Sequence, residues 1–382
     1  MLKISIDATP IRDKPSGIGL YVYELIKELW EMQSEGNFGL QITYQPSVRN
    51  WVKNNRDIPE RLKAFPEIDR LSLPVTLSHL LTSFPNLAID YLSRYFDDAD
   101  IIHGTDHVVF PCKGSLKVMT IHDLTFIKYP QFVNNIVKTY TARIKDCLRW
   151  TDLVIANSES TKRDIIQYLG VKEKLIRVTP LASRYSNYSP PAEDTIPENI
   201  YDWSQPYILF VSTIEPRKNI SALIQAFNYL KSRYKIPHNL VLIGQKGWLY
   251  ESIFQAINQS PSAECIYHLN YLSDDAVAWF YRRADVFVYP SFYEGFGLPV
   301  LEAMTLGCPV ITADTSSLPE VAGDGALLIN PTDNLQLASA ILQVISDSAY
   351  RESLITKGYI QARKFSWQKT ARLTLAAYQS LL

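Results

Sequence analysis

Two carboxylates stand in the short string Ser291–Pro309, SFYEGFGLPVLEAMTLGCP. Glu294 and Glu302 have seven residues between them and flank a Gly-Phe-Gly-Leu-Pro turn. Before them, Ala284–Pro290 (ADVFVYP) is a short apolar run with strand character. After them, Pro299–Leu306 holds good helix formers, with Pro in the first turn, where its missing N–H costs nothing. Gly295 and Gly297 let the backbone come close to a ligand. The free N–H groups at the helix start, with the positive end of its dipole, attract an anion. Hydroxyls want carboxylate acceptors and phosphates want N–H donors, so the string suits a phosphorylated sugar. A lone Glu pair is commonly a pair of solvated helix charges, and Gly-Phe-Gly alone is a turn. The combination is what carries specificity.

A second constellation is Glu215-Pro216-Arg217-Lys218-Asn219, after the apolar run Tyr207–Ser212 and before a helix. Arg is a fork of donors and Lys a point charge, so the pair fits a diphosphate. The bland reading is a solvated basic turn. His122-Asp123 closes a predicted strand, where a histidine could meet a sugar hydroxyl or simply be a satisfied structural residue. His103 closes another strand and reads as lining. Gly17 and Gly19, in Ser16-Gly17-Ile18-Gly19, could bring N–H groups to a phosphate or to an acceptor. The three-glycine dinucleotide fingerprint is absent, since Val22 holds its third position. Asp98-Ala99-Asp100 spells a metal-type D-x-D but precedes a strand, at the amino end of the sheet. It reads as a solvated cap, and no metal or other cofactor is expected.

These residues need elements to hold them. Predicted strands at Lys3–Ala8, Leu40–Tyr44, Ile101–His103, Val118–Ile121, Leu153–Ala156 and Ile176–Thr179 alternate with helices such as Gly19–Met32, Asn135–Trp150 and Ser160–Leu169. Ser183–Gln205 breaks the pattern with Ser, Pro, Asn and acids, and the alternation restarts at Tyr207. The fold class is therefore α/β, with two doubly wound domains facing a cleft, and ligands beyond the carboxyl ends of the strands. The expected division is 1–190, a linker at 191–205, and 206–367, with a final helix at 368–382 returning to the first domain.

With 382 residues, two domains are the natural expectation. The formal net charge of −1 argues against nucleic acid as a partner. Cys112, Cys147, Cys265 and Cys308 form no C-x-x-C pair and read as reduced thiols of a cytoplasmic protein. The chain opens directly into a strand, and no run of about 18 apolar residues is present. Leu71–Phe96 is apolar and aromatic. It reads first as a core helix, divided by Pro74 and Pro85, and otherwise as a face that meets the inner surface of a membrane.

The string VSTIEPRKN, the stretch RRADVFVYPSFYEGFGLPVLEAMTLGCPVI and SSLPEVAGDGALLINP together resemble the fourth family of retaining glycosyltransferases, in its Glu-Pro-Arg-Lys-Asn subgroup. The likeness is tightest over Tyr207–Asp333 and looser in the first half, through Ser-Gly-Ile-Gly and His122-Asp123. It implies the B-type fold of two Rossmann-like domains, without a metal. It implies that Glu302 binds the donor ribose and that Glu294 holds the transferred sugar. Gly295 and the backbone groups of Phe296, Gly297 and Leu298 would surround sugar and phosphates. Lys218, with Arg217, would neutralise the diphosphate, His122 would line the catalytic centre, and Gly17 and Gly19 would approach phosphate or acceptor. Thr213 stands where many relatives carry Arg, a role that Arg217 would take over.

The implied activity is hexose transfer from a nucleoside diphosphate sugar, with UDP-hexose as default and GDP-mannose as the subgroup's variant. The implied acceptor is a glycan, on a lipid carrier in polysaccharide synthesis. An epimerase acting on the free donor, or a non-catalytic sugar-nucleotide binding module, would be the alternatives.

Overall fold

The structure is a computed structural model. It describes the chain except residues 14–15, 35, 54–56, 82–88, 90–92, 97, 134–138 and 190–204. The expected linker (191–204 of it), the start of the expected helix at 135 and the middle of the 71–96 stretch lie outside the described residues.

The chain divides into two compact units. One comprises Met1–Ile127, Asn135–Leu181 and Trp367–Leu382, the other Lys128–Asn134 and Ala182–Ser366. In the first, β1 (Leu2–Asp7), β2 (Phe38–Tyr44), β3 (Asp69–Arg70), β4 (Ile101–Gly104), β5 (Leu116–Ile121), β6 (Leu153–Ala156) and β7 (Ile176–Val178) form a parallel sheet of order β3-β2-β1-β4-β5-β6-β7. In the second, β8 (Tyr207–Val211), β9 (Asn239–Ile243), β10 (Ile266–Leu269), β11 (Val286–Tyr289), β12 (Val310–Ala313) and β13 (Ala326–Ile329) run in the order β10-β9-β8-β11-β12-β13. All the pairings are parallel. Strands β4, β6, β11 and β12 are buried throughout, as expected where helices cover both faces.

Each sheet reverses its direction of growth once, between β1 and β4 and between β8 and β11. Such a switch point splays the loops that leave the two strands and opens a crevice beyond their carboxyl ends. Caps set where the following helices begin. Ser16 Oγ accepts from Gly19 N at 3.1 Å, and Ser158 Oγ from Thr161 N at 3.0 Å. The helix expected to end at Trp150 is described over Tyr140–Leu148.

The first unit ends at Leu181 rather than at 190. Arg184 and Tyr185 already bond to Glu302 and Asp274 of the second unit, which assigns them there. Lys128–Asn134 also belongs to the second unit. Phe132 stacks on Phe292 with centroids 5.5 Å apart, and its carbonyl accepts from Trp248 Nε1 at 2.7 Å. The helix Trp367–Gln379 packs on the helix Gly17–Met32 of the first unit. Gln368 Nε2 donates to Glu28 Oε1 at 3.0 Å, and Thr370 Oγ1 donates to the Pro180 carbonyl at 2.6 Å. Among the described residues no helix is long and apolar enough to cross a membrane.

Candidate active site

The switch point of the second sheet gathers the main constellation. The loop after β8 carries Glu215, Arg217 and Lys218, and the loop after β11 carries Ser291 and Glu294. Lys218 Nζ lies 2.6 Å from Glu294 Oε1, and an Arg217 NH1 lies 2.9 Å from Glu294 Oε2. Ser291 Oγ donates to Glu294 Oε1 at 2.7 Å, and Tyr289 OH donates to the same oxygen at 3.0 Å. Lys218 Nζ also donates to Tyr289 OH at 2.7 Å. Arg217 is oriented by Glu215 Oε1 at 2.7 Å and by the Tyr293 carbonyl at 2.6 Å.

The electrostatics follow from burial and pairing. Burial pushes the Glu294 carboxyl up, but Arg217 and Lys218, with the hydrogen bonds of Lys218 and Ser291, outweigh it and hold the group at about 2. Glu294 is thus a fixed anion at neutral pH. Burial, and Arg217 beside it, pull Lys218 below the ordinary lysine range while Glu294 opposes them.

Gly297 has φ +114°, a conformation that L side chains rarely adopt, and starts the helix Leu298–Thr305. No side chain caps that helix, and Pro299 in its first turn has no N–H to satisfy. Ser317 Oγ donates to the carbonyls of Glu294 at 2.9 Å and Phe296 at 2.7 Å, while Ser316 Oγ accepts from Glu294 N at 3.0 Å. The Phe296 ring is buried edge-on against Phe365, so only its backbone can serve a ligand. One turn into the helix, buried Glu302 accepts from Arg184 Nε at 2.7 Å, and Arg184 NH1 pairs with Asp274 at 2.8 Å. Burial pushes the Glu302 carboxyl up, and Arg184 pulls against it. Thr213 is exposed on the loop after β8, and no charge stands in its place.

In the first unit, His122 is buried at the end of β5. Its Nε2 meets the Thr105 carbonyl at 2.8 Å and its Nδ1 meets the Asn157 amide nitrogen at 2.9 Å. A carbonyl only accepts and an amide nitrogen only donates, so Nε2 carries the proton and Nδ1 accepts. Burial, with His107 nearby, pulls His122 down to about 4. The ring is a neutral, fully bonded group. His103, also buried, bridges Thr120 Oγ1 at 2.7 Å and Tyr378 OH at 2.6 Å, which ties the C-terminal helix to β4. Gly17 opens its helix, and the Gly19 N–H is taken by the Ser16 cap. Asp100 accepts from Lys3 N at 2.7 Å, and Asp98 pairs with Lys3 at 3.5 Å, so the D-x-D borders the amino end of β1.

A cavity of about 620 Å³ opens at the β1–β4 switch point, lined in part by Asp7, Arg12, Gln45, His103, Asp106 and Arg143. Burial, opposed by the Thr9 hydrogen bonds and reinforced by Asp106, raises the Asp7 carboxyl to about 6.

The family described as Glycosyltransferase Family 4 matches residues 15–182, and Glycosyl transferases group 1 matches residues 193–361. O-antigen chain mannosyltransferase B of Escherichia coli is 33% identical over 390 residues, covering 100% of both chains. The chain belongs to the glycosyltransferases. This glycosyltransferase is also 28% identical to the MMP alpha-(1->4)-mannosyltransferase of Mycolicibacterium hassiacum, over 96% of the chain and 95% of the relative. It matches the serotype-specific mannosyltransferase WbdA of E. coli at 30% identity, spanning 29% of that longer protein. Among solved structures, sucrose-phosphate synthase of Thermosynechococcus elongatus superposes with TM-score 0.76 at 20% identity, covering 100% and 99% of the two chains. Anabaena HepE, in complex with UDP and glucose, superposes with TM-score 0.72 at 18% identity over 100% of both. These likenesses establish the B-type fold.

Sequence reasoning about this glycosyltransferase brought Lys218, Arg217 and Glu294 to one place, and the structure joins them directly. It missed Arg184, which sits in the polar Ser183–Gln205 stretch read as connection. Nothing local marks that arginine, because its partners Asp274 and Glu302 lie 90 and 118 residues away. Ser316 and Ser317, which hold the Glu294–Phe296 backbone, lie 22 or more residues from Glu294 and carry no local signal of that contact. Asp7 falls inside the predicted strand Lys3–Ala8, and nothing in that apolar run marks it as a site residue.

Proposed function

We propose that this glycosyltransferase moves mannose from GDP-mannose to a glycan acceptor, with retention at the anomeric carbon and without a metal. The observation that carries the reading is Glu294 held as an anion between Lys218 and Arg217 at a switch point. The full-length likeness to a protein named as a mannosyltransferase supports mannose, and it turns the default of UDP-hexose into the second choice. The same name supports an acceptor in surface-polysaccharide synthesis, and a lipid-linked glycan met peripherally at a membrane is the form we favour. The epimerase and binding-module alternatives find no support among these relatives, which are named as transferases.

In this reading Lys218 and Arg217 exchange part of their pairing with Glu294 for the donor diphosphate. Cations already desolvated and fixed stabilise the leaving group without reorganising. Glu294, ionised at neutral pH, accepts hydrogen bonds from hexose hydroxyls and is no proton donor. The N–H groups of Gly295 to Leu298 surround the sugar and phosphates, and Glu302 takes the ribose hydroxyls. Thr213, in place of a third cation, contributes at most a hydroxyl. The acceptor oxygen bonds to the anomeric carbon as the carbon–phosphate oxygen bond breaks, and that phosphate oxygen takes the acceptor proton on the same face. Both nitrogens of His122 are occupied, so it shapes the centre rather than serving as its base. Gly17 and Gly19 let the first loop approach phosphate or acceptor.

The test supplies GDP-mannose and UDP-glucose separately, with and without a short mannan acceptor, and follows nucleotide release and the anomeric proton coupling of the product. Acceptor-dependent GDP release with retained configuration is expected. Turnover of UDP-glucose alone, conversion of donor without acceptor, or wild-type rates in Lys218→Ala and Glu294→Ala would overturn the proposal.

A further inference from the structure

The helix Val48–Val52 has no buried residue. Its apolar side chains Val48, Trp51 and Val52 fall at i, i+3 and i+4, which places them on one stripe. Such a stripe ordinarily faces a core. Here it faces water, with the three residues 42%, 49% and 71% exposed. Arg49 and Lys53 are exposed on the same segment, and Ser47–Lys53 contains no acid.

The helix is held in place rather than loosely attached. Ser47 Oγ accepts from Asn50 N at 3.2 Å, and Trp51 Nε1 donates to the Ser72 carbonyl at 2.9 Å. Val75 N donates to the Pro46 carbonyl at 3.1 Å, which joins it to the helix Val75–Leu81, where Leu77 is 40% exposed. These two short helices also supply Ser47, Asn50, Val75 and Thr76 to the wall of the 620 Å³ cavity.

We propose that Val48, Trp51 and Val52 dock this protein on a bilayer of anionic phospholipids, with Arg49 and Lys53 meeting the headgroups. An amphipathic tryptophan held by a backbone carbonyl suits the boundary between headgroups and acyl chains. Each lysine or arginine near an anionic surface adds to the attraction. A second copy of the chain is the poorer occupant. A stable interface buries about 800 Å² per partner, far more than a five-residue helix presents, and its two cations would face their own copies. The inference deepens the lipid-linked acceptor reading and rests on it for its purpose. It places the docking surface at 48–53 rather than along the whole 71–96 stretch.

The experiment sediments the full-length protein with vesicles of phosphatidylethanolamine and phosphatidylglycerol, and separately with phosphatidylcholine alone. Wild type is expected to pellet with the anionic vesicles, less so at high salt. Val52→Asp and the double variant Arg49→Glu/Lys53→Glu are expected to lose at least about tenfold in partitioning, with unchanged melting temperature. Both variants keep wild-type transfer to a soluble short glycan. Wild type that stays in the supernatant, or Val52→Asp that pellets equally, overturns the docking surface. So does concentration-dependent self-association abolished by Val52→Asp in the absence of vesicle binding. Failure of soluble transfer in a wild-type protein that still pellets would instead remove the functional reading and leave the docking surface standing.

Discussion

Arg184 Nε lies 2.7 Å from Glu302 Oε1, and the two residues are 118 positions apart. The carboxylate is almost wholly buried, and the arginine is its cation. Removing one partner of a buried pair leaves an uncompensated charge, which costs about 3–5 kcal/mol. Arg184→Ala is therefore expected to lose stability of that order in urea unfolding. Burial already raises its Glu302 carboxyl, which should rise further without Arg184, so nucleotide affinity should weaken more steeply with falling pH than in wild type. Affinity that is independent of pH in the variant would separate Glu302 from the ribose.

Lys218→Ala removes one of the two cations on Glu294 and one proposed diphosphate contact. Loss of a preorganised charge contact typically lowers turnover on the order of a hundredfold or more. Lys218→Arg should recover only part of it, because a planar fork does not replace a point charge. Steady-state rates over a range of donor concentrations decide this, and a loss confined to KM would show that Lys218 binds donor and transition state equally.

Glu294→Gln should separate sugar from diphosphate. The variant frees Lys218 and Arg217 from their internal anion, so the affinity for GDP without a sugar should hold or rise. Transfer should fall at least about tenfold, because glutamine lacks the charge that strengthens hydrogen bonds to hydroxyls. Isothermal titration with GDP, set beside turnover of GDP-mannose, tests both halves. Weaker GDP binding in the variant would contradict the exchange of partners proposed for the cations.

Acid should destabilise the first unit well before its carboxylates are exhausted. Burial pulls His122 to about 4 and His103 to about 3, against an ordinary value of 6.5. Between those values the unfolded chain binds protons that the native chain does not. Their neutral burial is thus uncontested above pH 6.5 and is penalised increasingly as pH falls toward 4, on the order of 3 kcal/mol for each histidine at the end. Asp7, raised to about 6, works in the opposite sense between about 4 and 6 and offsets part of the slope. The melting temperature should fall from pH 6.5 to pH 4, with a shallower fall in His103→Gln. A flat profile in wild type would show that these rings take up protons in the native state.

Two glycines should differ in what they tolerate. Gly244 has φ +148°, and a Cβ there would overlap the Ser212 carbonyl at the start of the loop after β8. Gly114 has φ +83° with nothing within 4 Å of where a Cβ would stand. Gly114→Ala should cost only the backbone term, about 1–2 kcal/mol. Gly244→Ala adds a steric clash to an inaccessible φ and should cost more than about 3 kcal/mol. Thermal unfolding of the two variants compares them directly.

The sequence alone determined the alternation of buried strands with capped helices, and with it the doubly wound class, because period and caps are local properties. It also determined that a cation pair and a carboxylate each leave a strand at its carboxyl end. Short or polar elements escaped it: β3 has two residues, and β10 (IYHL) carries no clear period. Only the tertiary structure decided which charges meet. The reversal of strand order between β8 and β11 puts Lys218 within 2.6 Å of Glu294 across 76 residues. It likewise gave Glu302 its arginine from a stretch that looked like linker, and left both nitrogens of His122 occupied. Burial and pairing set a group's charge, and both depend on neighbours that are distant in the chain, so the order of residues names the candidates and the packing assigns their states.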